Sequence, residues 1–154
     1  MYEVSMISMN SKEWWENEFI IKNNWETGID GKIQTDFFAQ ISYALINPTI
    51  KKDIKNLSGT FIDFGCALGQ ATQMLKILND KVDIIGIEMA EEALKKAKEL
   101  FPNTKFQKDL ESIENVDLIY ASNVLNKNPK DILNIGRDER CKHGDQRRIR
   151  MMFL

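Results

Sequence analysis

From residue 60 onward, short apolar runs alternate with amphipathic stretches. Four such runs predict strands: Thr60–Phe64, Val82–Ile87, Thr104–Gln107 and Val116–Ala121. Helical spacing of apolar residues predicts three helices between and after these strands: Gln70–Leu78, Ala90–Phe101 and 128–135. In the second of these helices, Glu91 and Glu92 each precede a lysine by four residues, an order that favours a helix.

The first 59 residues form a predicted helical N-terminal cap segment. Ser11 is expected to cap a helix that carries Trp14 and Trp15. An apolar-rich helix should end before Pro48, and a short helix, Thr49–Asn56, should follow. The two tryptophans fit both ordinary packing of their helix and a lid over a substrate cleft, so both interpretations stay open.

The pattern of residues 60–135 predicts an α/β fold with a Rossmann-like parallel sheet. Nearly continuous apolar strands separated by amphipathic helices are typical of a sheet that is covered on both faces. In such sheets, ligands bind beyond the carboxyl ends of the strands. The positions that follow the four strands are therefore the candidate site: Gly65–Gly69, Glu88, Asp109 and Ser122–Asn123.

Composition narrows the class of protein. The 154 residues carry a net charge of −2, which provides no overall attraction to nucleic acid or to an anionic membrane. Two cysteines, Cys66 and Cys141, cannot form a disulfide framework, so a cytoplasmic location is expected. The chain has no apolar run long enough for a membrane span, and residues 1–10 lack the pattern of a signal peptide. Cys141 and His143 are too few for a metal site, and none is predicted.

The charge is distributed unevenly along the chain. Residues 1–135 contain 15 lysines, no arginine and 20 acidic residues, a net charge of −5. Residues 136–154 contain all five arginines and carry a net charge of +3. This change of composition predicts a basic, disordered tail over residues 136–154. A tail strand that pairs with the sheet remains the alternative.

The segment Gly65–Gly69 closes the first predicted strand and opens a helix. Small residues allow a ligand to approach the backbone closely, and a helix N-terminus favours polar or negative groups. An ordinary tight turn between a strand and a helix is the alternative interpretation of the same residues. Ala67 and Gln70 stand where a dinucleotide fingerprint has glycine, and a Walker A ending is absent, so both phosphate-binding interpretations weaken.

Two acids follow the second and third strands. Glu88, at the end of the second strand, is placed to accept hydrogen bonds from both hydroxyls of a ribose. It also fits as an acid that complements the helix dipole. Asp109 is placed to accept a bond from an exocyclic amine while Leu110 packs on a ring, although a solvated loop acid is an equal alternative.

These segments together resemble the cofactor half of class I S-adenosylmethionine-dependent methyltransferases. The resemblance rests on four segments in this order: Ile62–Gly69, Ile85–Glu88, Phe106–Leu110 and Val116–Leu125. Residues 24–26 and 31–38 also resemble the cap segment of small-molecule members, with bacterial sugar or surface-polysaccharide methyltransferases the most similar type. The resemblance implies a strand order of 3-2-1-4, transfer of a methyl group to a small molecule or sugar, and S-adenosylmethionine as cofactor.

The resemblance also implies roles for individual residues. The glycine turn would border the methionine part of the cofactor through Gly65, Cys66, Ala67 and Gly69. Asp63 would lie nearby. Glu88 would hold the ribose hydroxyls, and Met89 and Leu110 would enclose the adenine, with Asp109 at its amine. Three residues at the end of the fourth strand would line the opening where the methyl acceptor meets the cofactor: Ala121, Ser122 and Asn123.

The chain departs from the family pattern after Val124-Leu125. Many members have an acid–histidine pair there, whereas this chain has Asn126-Lys127, so the catalytic base stays unknown. Signals for only four of the seven family strands are present, which predicts a chain shortened after strand four. The fourth strand would then be an open apolar edge through which the chain could form a homo-oligomer. A truncated cofactor-binding fragment without turnover is the alternative function.

Overall fold

The computed structural model describes residues 11–20, 37, 39–41, 43, 44, 46, 48–113, 115–121 and 150–153. For residues 17–20 and 150–153 it describes the backbone alone. The helices are α1 (Lys12–Ile20), α2 (Pro48–Asn56), α3 (Gln70–Leu78) and α4 (Glu91–Leu100). The strands are β1 (Thr60–Phe64), β2 (Asp83–Ile87), β3 (Lys105–Gln107), β4 (Val116–Ala121) and β5 (Arg150–Phe153). The predicted helix over 128–135 lies outside the described residues.

The five strands form one parallel sheet in the order β3-β2-β1-β4-β5. The α/β class and the 3-2-1-4 order of the first four strands are thus confirmed. The carboxyl ends of β1, β2 and β3 are level, because Phe64 pairs with Ile87 and Ile87 pairs with Gln107. The residues that follow these three strands therefore emerge at one edge of the sheet.

The fifth strand corrects one expectation for the tail. Arg150–Phe153 pairs in parallel with β4, from Leu118 opposite Arg150 to Ala121 opposite Phe153. The prediction of disorder is wrong for these four residues, and the alternative of a tail strand holds. The rest of the tail, 136–149, lies outside the described residues. The edge of β4 that the sequence left open is paired over these positions.

Alternation along the strands divides the core into two layers. On one face of the sheet, Phe61 and Tyr120 pack with residues of α2 and α3 in a cluster of buried side chains: Ile46, Ile54, Phe61, Leu75, Val82, Ile84, Leu118 and Tyr120. On the other face, a cluster of isoleucines is buried: Ile62, Ile85, Ile87, Ile113 and Ile119. The strands β1, β2 and β4 contribute buried apolar side chains to both clusters, as expected for a parallel sheet inside an α/β layer.

The N-terminal segment contributes helices as the sequence predicts. The Ser11 hydroxyl accepts a hydrogen bond from the backbone N–H of Trp14 at 3.1 Å, which confirms the expected cap of α1. Residues 37, 39–41, 43 and 44 are helical and precede α2. Among the helices that the structure describes, none has the length and apolar character needed to cross a membrane.

Candidate functional site

The glycine turn brings the backbone of β1 against the end of β2. The N–H groups of Gly65 and Cys66 both donate to the Ile87 carbonyl, at 2.8 and 3.0 Å. Gly65, Ala67 and Gly69 all have positive φ, at 74°, 47° and 86°. Ala67 therefore adopts a conformation that favours glycine and that costs a residue with a side chain about 1 kcal/mol. A simple connection between a strand and a helix would not need this backbone strain.

Close packing explains why Gly69 and Gly86 lack side chains. A Cβ at Gly69 would lie 2.6 Å from the Phe106 ring, and one at Gly86 would lie 2.5 Å from the same ring. The Cβ at Gly86 would also lie 2.8 Å from the Cys66 sulfur. Phe106 of β3 thus supports both the end of the turn and the middle of β2. Cys66 is a buried, unoxidised thiol that fills this small space, and burial raises its pKa.

Glu88 joins the glycine turn to the start of α4. One carboxylate oxygen accepts the Ala67 N–H at 3.1 Å, and the other accepts the Ala90 N–H at 2.9 Å. The side chain is 8% exposed. Burial raises the pKa of Glu88, the backbone hydrogen bonds lower it, and the nearby Glu16 carboxylate raises it further. The sequence predicted Glu88 and the turn as one site, and the structure places them in direct contact.

Asp63 lies beneath the turn and is 2% exposed. Its carboxylate accepts a hydrogen bond of 2.6 Å from the Thr72 hydroxyl on α3. Burial is the largest cause that raises the Asp63 pKa, to about 7, and the charge of Glu88 adds to it, whereas the Thr72 bond lowers it. Asp63 therefore connects β1 to α3 from below the site.

Asp109 and Leu110 follow β3 at the same edge of the sheet as the glycine turn. Asp109 accepts the Glu111 N–H at 3.1 Å through its side chain, and its carbonyl accepts the Gln107 side-chain amide at 2.7 Å. Leu110 is half-buried against the isoleucine cluster. Met89 is 40% exposed beside Glu88. No hydrogen bond links Asp109 to Glu88 among the described residues, and the expected contacts of these three residues with a nucleoside stay a prediction.

Ala121 ends β4 and is buried. It shares the carboxyl edge of the sheet with the glycine turn, because Tyr120 pairs with Asp63. Ser122 and Asn123, the other two residues expected at the opening for the methyl acceptor, lie outside the described residues.

Sequence reasoning missed three residues that the structure places around the turn. Thr72 holds Asp63, and Glu16 lies close enough to Glu88 to raise its pKa. Gln70 is buried, and neither polar atom of its amide has a hydrogen-bond partner among the described residues. Of the three, only Gln70 could have been found from the sequence, because it directly follows the glycine turn. Its presence there argues against a dinucleotide site.

Gln70 lies at one end of a groove of about 270 Å³. The groove runs between α3 and the helical residues that precede α2, and it is lined by Ala39, Gln40, Tyr43, Gln70, Gln73, Met74, Ile77 and Phe101. Its walls are mainly apolar, with glutamine amides among them. No group of three or more acidic, cysteine or histidine residues suited to a metal occurs in the described part of the chain.

A family model described as a methyltransferase domain matches residues 55–138, which is more than half of the chain. No curated protein matches. The plantazolicin methyltransferase BpumL, solved with a monoazolic desmethylPZN analogue and SAH, is similar over 80% of this chain and 54% of its own, with 20% identity and a TM-score of 0.53. A Methanococcus maripaludis protein assigned as an S-adenosyl-L-methionine-dependent methyltransferase is similar over 61% of this chain and 49% of its own, with 20% identity and a TM-score of 0.44.

The chain thus spans about half the length of these two solved structures. The likeness to BpumL extends across most of the chain and shows that the two proteins share a fold. The resemblance to class I methyltransferases that the sequence suggested is confirmed at the level of family and fold.

Proposed function

This chain belongs to the methyltransferase domain family, and on that premise we propose that it binds S-adenosylmethionine at the glycine turn and Glu88. The observation that carries the proposal is the Glu88 bridge from Ala67 to Ala90. It fixes a carboxylate at the sheet edge where α/β proteins bind nucleosides.

The residues present fit this cofactor. The two carboxylate oxygens of Glu88 accept the N–H groups of Ala67 and Ala90, and a carboxylate offers about four lone pairs, which leaves acceptor sites for ribose hydroxyls. The turn from Gly65 to Gly69 presents backbone with little side chain, which suits a closely approaching methionine moiety. Met89 and Leu110 supply apolar surface for an adenine, and Asp109 retains a second carboxylate oxygen for its amine.

We propose methyl transfer to a small molecule or sugar as the reaction. When bound, S-adenosylmethionine supplies a methyl group on a sulfonium centre, so the protein needs chiefly to orient the reactants and exclude water. Gly65, Ala67 and Glu88 would do the orienting from the sheet edge, and Ala121, Ser122 and Asn123 would border the acceptor. We assign no catalytic base.

Calorimetric titration with S-adenosylhomocysteine tests the binding site. The wild-type protein should bind, and Glu88→Ala should weaken binding at least about tenfold, since it removes an acceptor for two hydroxyls. Glu92→Ala is the matched control, because Glu92 is an exposed acid on the first turn of α4 and should leave the affinity unchanged. Should Glu88→Ala unfold, Glu88→Gln retains one oxygen for the backbone and tests the same point.

Two results would contradict the proposal. The first is a folded wild-type protein that fails to bind S-adenosylhomocysteine. The second is Glu88→Gln and Glu88→Ala proteins that bind as tightly as the wild type. A thermal-shift assay compares S-adenosylhomocysteine with NADH, because a ligand of the native state raises the unfolding midpoint. The proposal predicts a rise with S-adenosylhomocysteine and none with NADH.

The alternative is a cofactor-binding fragment without turnover. It matches the absence of an assigned catalytic base among the residues that the structure describes. Labelled methyl donor offered with a panel of sugars and small acids separates the two functions. Transfer to any acceptor supports the enzyme, whereas binding without transfer across the panel supports the fragment.

A further inference from the structure

Helix α1 lies against the start of α4, which a carboxylate of α1 caps. The residue at the N-cap of α4 is Ala90, whose side chain cannot accept a hydrogen bond. Glu16 of α1 supplies the missing acceptor, because its carboxylate accepts the Glu91 N–H at 2.6 Å. The first turn of α4 is therefore capped by a residue 75 positions away in the chain.

This cap lies directly beside Glu88. Glu88 binds the N–H of Ala90 and Glu16 binds the N–H of Glu91, so two carboxylates from different elements hold adjacent amides. The second oxygen of Glu16 is enclosed and accepts no hydrogen bond from any described residue. An enclosed carboxylate oxygen without a donor is costly. The Glu16 carboxylate is therefore held at the start of α4 despite this cost.

A second contact ties α1 to the other end of the Glu88 bridge. Trp15 packs against a buried cluster formed by Leu68 of the glycine turn and by Ala90 and Ala93 at the start of α4, and Ala67 packs against the same cluster. Helix α1 therefore packs against the cluster in which the glycine turn meets the start of α4, the two segments that the Glu88 carboxylate joins. Of the two interpretations left open for this tryptophan, packing of the helix is the one that these contacts support.

We propose that Glu16 is a positioning residue of the cofactor site, which holds the first turn of α4 so that Glu88 stays fixed against the glycine turn. The inference rests on the proposed function, because Glu88 is assigned there to the ribose hydroxyls. Glu16 itself is not placed in contact with the cofactor.

Two substitutions of Glu16 separate its hydrogen bond from its charge. Glu16→Ala removes both, so the Kd for S-adenosylhomocysteine at pH 7 should rise about three- to tenfold. Glu16→Gln keeps an oxygen for the Glu91 N–H and should restore affinity close to the wild type at that pH. Glu16→Met keeps the length of the side chain without an oxygen acceptor, so it should bind as weakly as Glu16→Ala, whereas a purely space-filling role would leave its affinity near the wild type.

The pH profile supplies a readout that simple loss of stability would not move. Among the described groups that face Glu88, Glu16 comes from α1, whereas Asp63 and Cys66 come from β1 and its turn. Lys12 and Lys108 pair with Glu91 at the surface nearby. Because Glu16 raises the pKa of Glu88, Glu16→Gln should lower it, and the acid limit of ligand binding should move to lower pH.

Lys12→Ala is the matched control on α1. It removes an ion pair between Lys12 and Glu91 whose side chains are 41% and 61% exposed, and such pairs contribute little. It should leave both the affinity and the pH profile unchanged. If Lys12→Ala weakens binding as much as Glu16→Ala does, docking of α1 in general is responsible and the inference fails.

Titration of the Glu88 carboxyl by NMR in the ligand-free protein keeps the two proposals distinguishable. A lower Glu88 pKa in Glu16→Gln than in the wild type supports the inference even if S-adenosylhomocysteine does not bind, in which case only the proposed function fails. An unchanged Glu88 pKa overturns the inference, whatever the wild-type protein binds.

Discussion

At the scale of single residues, Asp63 is the most informative side chain below the site. It is buried, it accepts the Thr72 hydroxyl at 2.6 Å, and burial raises its pKa from 3.8 to about 7. The folded protein therefore holds a proton on Asp63 at pH values where the unfolded chain has released it. This contribution to stability is fully present below about pH 4 and is lost as the pH rises through about 7.

Asp63→Asn isolates that effect, because the amide is neutral at every pH and retains an oxygen for Thr72. Above pH 7 the variant should be more stable than the wild type, by an amount on the order of a few kcal/mol. The difference should shrink toward pH 5, where the native Asp63 is already protonated. Urea unfolding of both proteins between pH 5 and 8 measures it. A stability difference that does not change with pH would show that Asp63 is charged in the folded state.

The sequence identified some residues of the site and missed others for a physical reason. Glu88 and Gly65 were predictable, because each directly follows an apolar strand and parallel strands end at one edge. Thr72 and Glu16 were not, because their roles depend on contacts made only in the folded chain. The Glu16 bond to Glu91 spans 75 positions, and no local pattern encodes which helix α1 will contact.

At the scale of elements, bounds were predicted to within one or two residues where an apolar run was short and sharply limited. The predicted Thr60–Phe64, Gln70–Leu78 and Val116–Ala121 agree with β1, α3 and β4. Ion pairs were predicted less well, since Glu91 pairs with Lys12 and Lys108 and not with the lysine four positions on. Those two lysines hold the pKa of the exposed Glu91 carboxylate at about 2, with the Lys108 hydrogen bond the largest cause.

Asn79 shows how one side chain connects two elements. Its amide donates to the carbonyls of Ile54 and Leu57 at the end of α2, at 2.7 and 2.9 Å, and its oxygen accepts the Lys81 N–H at 3.1 Å. Asn79→Ala leaves these groups without partners and should lower the free energy of unfolding by about 2–3 kcal/mol. Asn56→Ala, at an exposed position of α2, should change it by about 0.5 kcal/mol or less. Equal effects in urea unfolding would contradict this account of Asn79.

At the scale of the whole molecule, the sheet is extended on one side by a strand from the basic tail. β5 has four residues and covers β4, whose Ile119 and Tyr120 are buried. The sequence predicted the liability of this edge and offered a tail strand only as the alternative to disorder, because residues 150–153 are too short a run for alternation to mark a strand. Long-range pairing of this kind depends on the folded sheet that receives the strand.

Removal of residues 150–154 tests whether β5 protects the sheet. Without the strand, β4 would present unpaired N–H and C=O groups beside apolar side chains, which favours pairing between chains. The shortened protein should therefore form species of higher mass than the wild type in size-exclusion chromatography with light scattering, and unfold at lower temperature. The double variant Arg147→Ser/Arg148→Ser is the control, because it removes two tail charges and keeps the strand. A shortened protein with the mass and midpoint of the wild type would mean that β4 needs no cover.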